Sequence, residues 1–437
     1  MELTNNFQMM YKFLSRMMPS FLKKKVNLFL IKILLRYPTF IDKVYVVLGR
    51  DRIFEILRGM KLDKFCSKKF KTYELLKEED LLQFRKVVLD DEKFEDVALE
   101  SVFGLSKGGK YSVYFDQLAV YEFRSAAIHT SSDFIRLGDR VYWDKSSKVQ
   151  LPMVIPGDSD LIAYDETKVI LKNKNPDIMI GCGFSLLGMK PNSWGHFVSM
   201  LPKFEALKYI NEPDLEIILP ASVDLHIKEV AEALVLKYRS AKIRYVEDHS
   251  IISFEKLYYC SSPNFLADHA YIEHPALAVI RNFSKKIIFE YGTFLSKDVE
   301  VAKKRKIFIA RDGSRNLSNY LEVELYFESL GFEIIRPHQL TLLDKMKIFS
   351  EATHIVGPGS SGFANMIFCK PGAKALILQN FARTLDLYFD LFSDEKYFNI
   401  KTTIMIGIDV VPGAPHSEFY IPIDRIHECI QKTNFLI

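Results

Sequence analysis

Cysteine is scarce in this chain and never clustered: Cys66, Cys182, Cys260, Cys369 and Cys429 are spread over 437 positions with no Cys-x-x-Cys among them. An odd, dispersed set speaks against a disulfide framework and a structural zinc site, and reads as reduced thiols in the core of a cytosolic protein. Long apolar runs are missing too. The best one near the N-terminus, Val26 to Leu35, is interrupted by Asn27 and Lys32. It falls well short of the roughly 20 residues a membrane span needs, and no apolar segment with a small-residue cleavage site marks a secretory signal. Neither sign of charge dominates, and a net charge of +4 gives no electrostatic case for nucleic acid as a partner. No short-period repeat or low-complexity tract is visible. With 48% hydrophobic and 26% charged residues, there is enough apolar material for packed cores, which excludes general disorder.

What is present starts with length: 437 residues exceed what one core usually serves, so two α/β units with an appendage are expected. Before Pro38, Lys12, Arg16, Lys23, Lys24, Lys25, Lys32 and Arg36 face only Glu2, while Phe13, Met17, Phe21, Leu28, Ile31 and Leu35 recur at helical spacing. That pattern fits a helix lying on an anionic membrane surface through residues 1–37, or a helical subdomain packed on the body with solvated lysines. Residues 61–95 are charged and read as helical, which gives a helical N-terminal extension over 1–95. From Tyr111, short strands (111–115, 118–123, 126–130, 140–143) predict a small β-rich layer.

Beyond Asp177 the pattern becomes alternating strand and helix, as in a doubly wound parallel sheet. Strands are expected at 177–183, 216–219, 243–246 and 254–260, with helices at 227–238 and 276–283. A cluster of Ser, Lys and Asp around 295–304 sets a boundary, dividing a domain over 96–298 from one over 299–437. The second opens with the strand Lys306 to Ala310, followed by Arg311. A helix over 322–330 stops at Gly331, a strand runs over 332–336, and a helix spans 342–350.

The chain then reaches Ala352 to Leu378: a strand, the turn Gly357-Pro358-Gly359-Ser360-Ser361-Gly362, a short helix over 363–369, and another strand. Glycines at a helix start let backbone amides approach an anion at the positive end of the helix dipole, and the two serines add hydroxyl donors. This suits a phosphate. Glycine turns also join strand to helix with no ligand, so the motif is generic by itself.

Three stretches together resemble the family 61 glycosyltransferases. They are Asn192-Ser193-Trp194-Gly195-His196-Phe197 with Leu201-Pro202-Lys203-Phe204, then Ile307 to Arg311 with Gly331-Phe332-Glu333, and finally the glycine-serine turn with its helix through Asn365. The resemblance runs from about Tyr111 to the C-terminus. It implies a GT-B architecture, in which two Rossmann-like domains face each other across a cleft, the first binding the acceptor and the second the nucleotide-sugar. It also implies inverting transfer to a hydroxyl of a capsular polysaccharide or lipopolysaccharide acceptor. The expected donor is UDP-linked, no other cofactor and no metal are required, and the partners are a glycan or lipid-linked acceptor and the inner face of the membrane. The chain departs from the family where a histidine is usual in the turn: here stands Gly359, with Ser360 as a substitute hydroxyl.

On this reading His196 is the candidate base, its ordinary pKa of about 6.5 suiting the task; otherwise it is a buried histidine ordering a helix start. Arg311 is placed on the diphosphate, which a guanidinium holds through two oxygens at once, against a plain surface salt bridge. Gly359, Ser360, Ser361 and Gly362 supply the rest of that cradle, and Asn192, Asn365 and Arg315 are candidates for donor or acceptor contacts. Asp268-His269 and Glu273-His274 lack a third ligand at helical spacing and read as loop polarity. Two other readings stay open: a different GT-B-like transferase, pyruvyl or sialyl, or a non-catalytic nucleotide-binding scaffold of a membrane assembly.

Overall fold

Two sheets, each with a parallel core, carry the architecture. The computed structural model describes residues 70–91, 93–98, 102–103, 110–115, 117–130, 134–144, 160–164, 167–187, 200–223, 225–238, 241–262, 264–266, 278–311, 316–380, 391–411 and 418–437. The N-terminal basic stretch 1–37 lies outside these residues.

The first sheet has 11 strands. Its parallel part is β2 (Ile178–Ser185), β3 (Glu216–Pro220), β4 (Lys242–Val246) and β5 (Ile251–Cys260), in the spatial order β4-β3-β2-β5, with helix α1 (Leu225–Tyr238) joining β3 to β4. The order reverses between β2 and β5, and at such a point the loops leaving the carboxyl ends diverge to opposite faces and open a crevice. On its other edge β5 pairs antiparallel with the long strand β1 (Leu118–His129), and antiparallel strands continue the sheet from there.

Two expectations fail in this region. The described residues in 70–95 are mainly extended: Phe70–Leu75, Arg85–Asp90 and Lys93–Ala98 are strands, with the short helix Glu78–Leu81 and the 3-10 helix Leu82–Phe84 between the first two. Lys71, Glu74, Arg85 and Lys86 are exposed on these strands, where charge is tolerated, and that pattern imitates an exposed helix. The β-rich strands join the first sheet: the expected strands 118–123 and 126–130 are one strand bent at Ser125, whose φ is 52°, and it is hydrogen-bonded directly to the α/β part. The helix expected over 276–283 starts later, as α2 (Asn282–Ser296), after a short strand Ala278–Ile280.

The second sheet has seven strands, six of them parallel: β6 (Arg305–Ile309), β7 (Glu333–Ile335), β8 (Ala352–Pro358), β9 (Lys374–Asn380), β10 (Lys401–Asp409), and the two-residue Val102–Phe103 beside β10. Their order β7-β6-β8-β9-β10 reverses between β6 and β8. Helix α3 (Tyr320–Ser329) ends as expected at Gly331, with φ of 81°. Gly331 N–H donates to Glu328 O and Phe332 N–H to Phe327 O, the pair of bonds that closes a helix with a left-handed residue. Helix α4 (Leu342–Glu351) is capped by Thr341, whose Oγ1 accepts from Asp344 N–H at 3.1 Å.

One apolar core joins the helical layers of both sheets. It runs from Leu118, Phe184 and Phe204 through Ile288 and Tyr291 of α2 to Ile309, Phe363 and Ile377. Helix α2 packs against the 3-10 helices Leu201–Tyr209 and Ser361–Phe368 and against α4. Gly292 makes this close approach possible, since a Cβ there would lie 2.5 Å from the Ile367 carbonyl oxygen. The four described cysteines are all unpaired thiols, and no described helix is long and apolar enough to cross a membrane.

Candidate active site

The order reversal between β6 and β8 decides where a ligand of the second sheet would sit, because the loops after these strands leave toward opposite faces. β6 runs into Ala310 and Arg311; β8 runs into Gly359 to Gly362. The two strand ends are in close contact: a Cβ on Gly357 would meet the Ile309 carbonyl oxygen at 2.4 Å. Any larger residue would pry the strands apart at the crevice.

The turn after β8 is tied on both sides. Gly359 N–H donates to Leu378 O of β9 at 2.8 Å, and the Arg311 guanidinium donates from Nη1 to the Gly359 carbonyl. Asn316 Nδ2 donates to the Arg311 carbonyl at 2.9 Å, which fixes the loop leaving β6. The structure therefore brings Arg311 to the glycine turn.

Ser360 is extended, and the chain then enters the 3-10 helix Ser361–Phe368, closed first by Phe363 N–H to Ser360 O at 3.2 Å. The short helix expected over 363–369 is this 3-10 helix, which starts two residues earlier. Ser361 and Gly362 open it, and the first N–H groups of a helix have no acceptor within it. Gly362 is needed for packing, since a Cβ there would come within 3.0 Å of Ile309 Cγ2 and 3.4 Å of Pro337 Cγ. What the turn offers a ligand is a set of donors held at the carboxyl edge of a parallel sheet.

Asn365 is not a helix surface residue. It is only 2% exposed, and its Nδ2 donates to the Gly362 carbonyl at 2.8 Å, which staples the helix back onto the turn. Its Oδ1 has no hydrogen-bond partner. His196 and Asn192 lie outside the described residues, as do Arg315 and the Asp268-His269 and Glu273-His274 pairs. In sequence, His196 falls between β2 and the 3-10 helix Leu201–Tyr209. The basic residue of the Leu201-Pro202-Lys203-Phe204 step is buried, with Lys203 Nζ 4.8 Å from the centroid of the Tyr259 ring.

Gln379, on β9, was not singled out by the sequence. It is 5% exposed, its Oε1 has no partner, and its amide fills the space beside Gly359: a Cβ there would lie 2.8 Å from both Gln379 Cγ and Nε2. A signal existed in the alignment of β8 with β9, where Pro358 pairs with Leu378 and the next residues, Gly359 and Gln379, fall side by side. A chain read one segment at a time does not reveal it.

No group of His, Cys, Asp and Glu among the described residues is arranged to hold a metal ion. One polar cluster on the first sheet is internally paired. Tyr258 Oη lies 3.0 Å from Glu122 Oε2 and 2.8 Å from Glu212 Oε1, with Lys86 and Lys256 on the outer sides of these carboxylates. Burial pushes Glu122 up, but Tyr258, Arg124 and Lys86 more than offset it and the net shift is down. Burial and the two carboxylates push the Tyr258 hydroxyl well up, so it remains a proton donor.

Compared with protein families, residues 194–376 match the model described as Glycosyltransferase 61. The match opens two residues before His196 and closes in β9, so it takes in Arg311 and the whole glycine turn. No curated protein matches the chain.

Proposed function

Residues 194–376 of this chain are those of a family 61 glycosyltransferase, and from that premise we propose that the protein moves a sugar, with inversion, from a nucleotide-sugar to a hydroxyl of a surface glycan. The acceptor is a capsular polysaccharide or lipopolysaccharide, and the donor is UDP-linked. The observation that carries the reading is the meeting of Arg311 with the glycine turn at the switch point of the second sheet, within the matched region.

In the proposed step, the acceptor hydroxyl gives its proton to His196. Its oxygen bonds to the anomeric carbon from the side opposite the diphosphate. The bond from that carbon to the diphosphate oxygen breaks, its electron pair leaving with the nucleoside diphosphate. The Ser361 and Gly362 amides and Arg311 neutralise the charge that develops there, with no metal ion called on. The sheet over 118–260 takes the part of the acceptor half of a GT-B enzyme and the sheet beyond residue 299 that of the donor half. Residues 1–37 hold the protein to the anionic inner face of the membrane. Removing them is expected to abolish binding to anionic liposomes while the rest stays folded.

The test is a transfer assay of the full chain over a panel of nucleotide-sugars, with EDTA present. Transfer from a UDP-sugar that disappears in His196→Ala supports the reading. Transfer unchanged in His196→Ala removes the base assignment, and binding of CMP or phosphoenolpyruvate in place of UDP removes the donor class.

A further inference from the structure

The unpaired oxygen of Gln379 is the wrong group for a diphosphate. Phosphate oxygens and an amide oxygen both bring lone pairs, so the two repel, whereas the glycine turn beside it supplies donors. A buried amide oxygen without a donor also costs stability, and natural cores rarely leave one so without a use. The residue is held where it is by its neighbours. It is packed inside β9, and the missing side chain at Gly359 leaves the room its amide occupies. The Gly359 carbonyl is taken by Arg311 and the Gly359 N–H by Leu378, so nothing in the turn's own backbone at that residue completes the Gln379 oxygen.

The geometry points to Gln379 as a ligand-binding residue of this site, whose side-chain oxygen accepts a hydrogen bond from a hydroxyl or N–H of the bound nucleotide-sugar, next to the diphosphate on the turn. This rests on the nucleotide-sugar reading above and deepens it. The donor group belongs to the nucleoside or to the sugar, because the diphosphate itself carries no hydrogen to give at neutral pH. Gly359 has a defined part in this: its lack of a side chain makes space for the amide that reads the ligand. The same position thus provides a turn and a specificity pocket.

The experiment is isothermal titration of the full-length protein with UDP, UDP-glucose and inorganic pyrophosphate, in wild type, Gln379→Met and Gln379→Leu. Met keeps the length of Gln without the oxygen, and Leu removes the amide with a shorter apolar chain. Both variants are expected to lose roughly tenfold in affinity for the nucleotide ligand while pyrophosphate binding stays within about twofold, the size of one lost hydrogen bond. Loss for UDP and UDP-glucose alike places the donor on the nucleoside; loss for UDP-glucose alone places it on the sugar. Unchanged nucleotide affinity in Gln379→Met, or equal loss for nucleotide and pyrophosphate, overturns the assignment with the nucleotide site intact. Wild type that binds none of the three ligands overturns the nucleotide reading itself. Far-UV circular dichroism of each variant establishes that the measured chains are folded, and Gln379→Leu carries the test if Gln379→Met is not.

Discussion

The two sheets place their buried polar groups differently. In the first, His129 and Asp160 are both completely buried and pair with each other, with Nδ1 3.1 Å from Oδ2 and Lys174 Nζ 3.0 Å from Oδ1, although His129 Nε2 has no hydrogen-bond partner. In the second, Gln379 and Asn365 are nearly as deeply buried, yet each leaves its side-chain oxygen unpaired beside the glycine turn. Polar groups that satisfy one another inside a fold serve the fold; polar groups left open at the carboxyl edge of a parallel sheet are positioned for something the fold does not contain. Substitutions in the two regions should therefore separate stability from binding.

The largest effect is expected from Asp160→Ala. It leaves His129 and Lys174 facing an empty site in the interior, and breaking a buried pair by removing one partner typically costs about 3–5 kcal/mol. Urea denaturation measures it. A loss under roughly 1 kcal/mol would show that the pair is incidental to the fold and would erase the contrast between the sheets.

Arg311→Ala comes next, acting on binding and rate. Removing a preorganised donor of this kind costs on the order of 10²-fold in turnover, and the turn also loses the contact to the Gly359 carbonyl. Steady-state transfer kinetics check it, with Arg311→Lys as the comparison: a lysine keeps the charge but not the fork, so recovery should be incomplete. Full activity in Arg311→Ala would detach this residue from the site.

Gly292→Ala should cost about 1–3 kcal/mol, since its Cβ would run into the Ile367 carbonyl and α2 would have to move off the helix that follows the turn. Thermal melts report the destabilisation. If binding of UDP weakens in parallel, the packing of α2 also fixes the geometry of the turn.

Much of the second sheet was legible from sequence because each of its elements carries its own local signal. Gly331 ends α3 by a left-handed cap, Thr341 starts α4, and the glycine-serine run marks the turn. The site was legible only in part, for a physical reason. Arg311 and the turn could be guessed because strand ends at an order reversal gather ligands, but the role of Gln379 depends on the register between β8 and β9, and the room for it depends on Gly359. The first sheet was harder. Charged residues on 70–95 imitate a helix, and whether they become strands is decided by partners far away in the chain: Phe70–Leu75 by Lys168–Lys172, and Arg85–Asp90 by β1.

Acid should act on the paired region and spare the open one. Burial pushes His129 down more than Asp160 pulls it up, so the unfolded chain binds that proton more readily. Burial pushes Asp160 up, but His129 and Lys174 more than offset it and hold it below the usual carboxylate range. Both groups are depressed in the folded state, so both contribute stability that is present at neutral pH and is lost on acidification. His129 acts first, as pH falls below its ordinary value of about 6.5, and Asp160 follows below about pH 4. Denaturation midpoints at pH 7.5 and 5.5 test the first step. His129→Gln should flatten that slope; a slope that persists unchanged in this variant would assign it to other groups.

The smallest effect on the fold is expected from Gln379→Met, and its smallness is the sharpest form of the contrast. Replacing a buried group that has no partner by an apolar one of the same length removes a desolvation cost without removing a hydrogen bond, so stability should stay within about 1 kcal/mol of wild type or rise. Asp160→Ala, by comparison, removes a group whose partners remain. If Gln379→Met instead destabilises the protein by several kcal/mol, the amide is holding β9 against the turn, and the open oxygen belongs to the packing of the sheet. If stability is kept while nucleotide affinity falls, the second sheet carries an unpaired group that the fold does not need, and the cost of keeping it is offset only when ligand is bound.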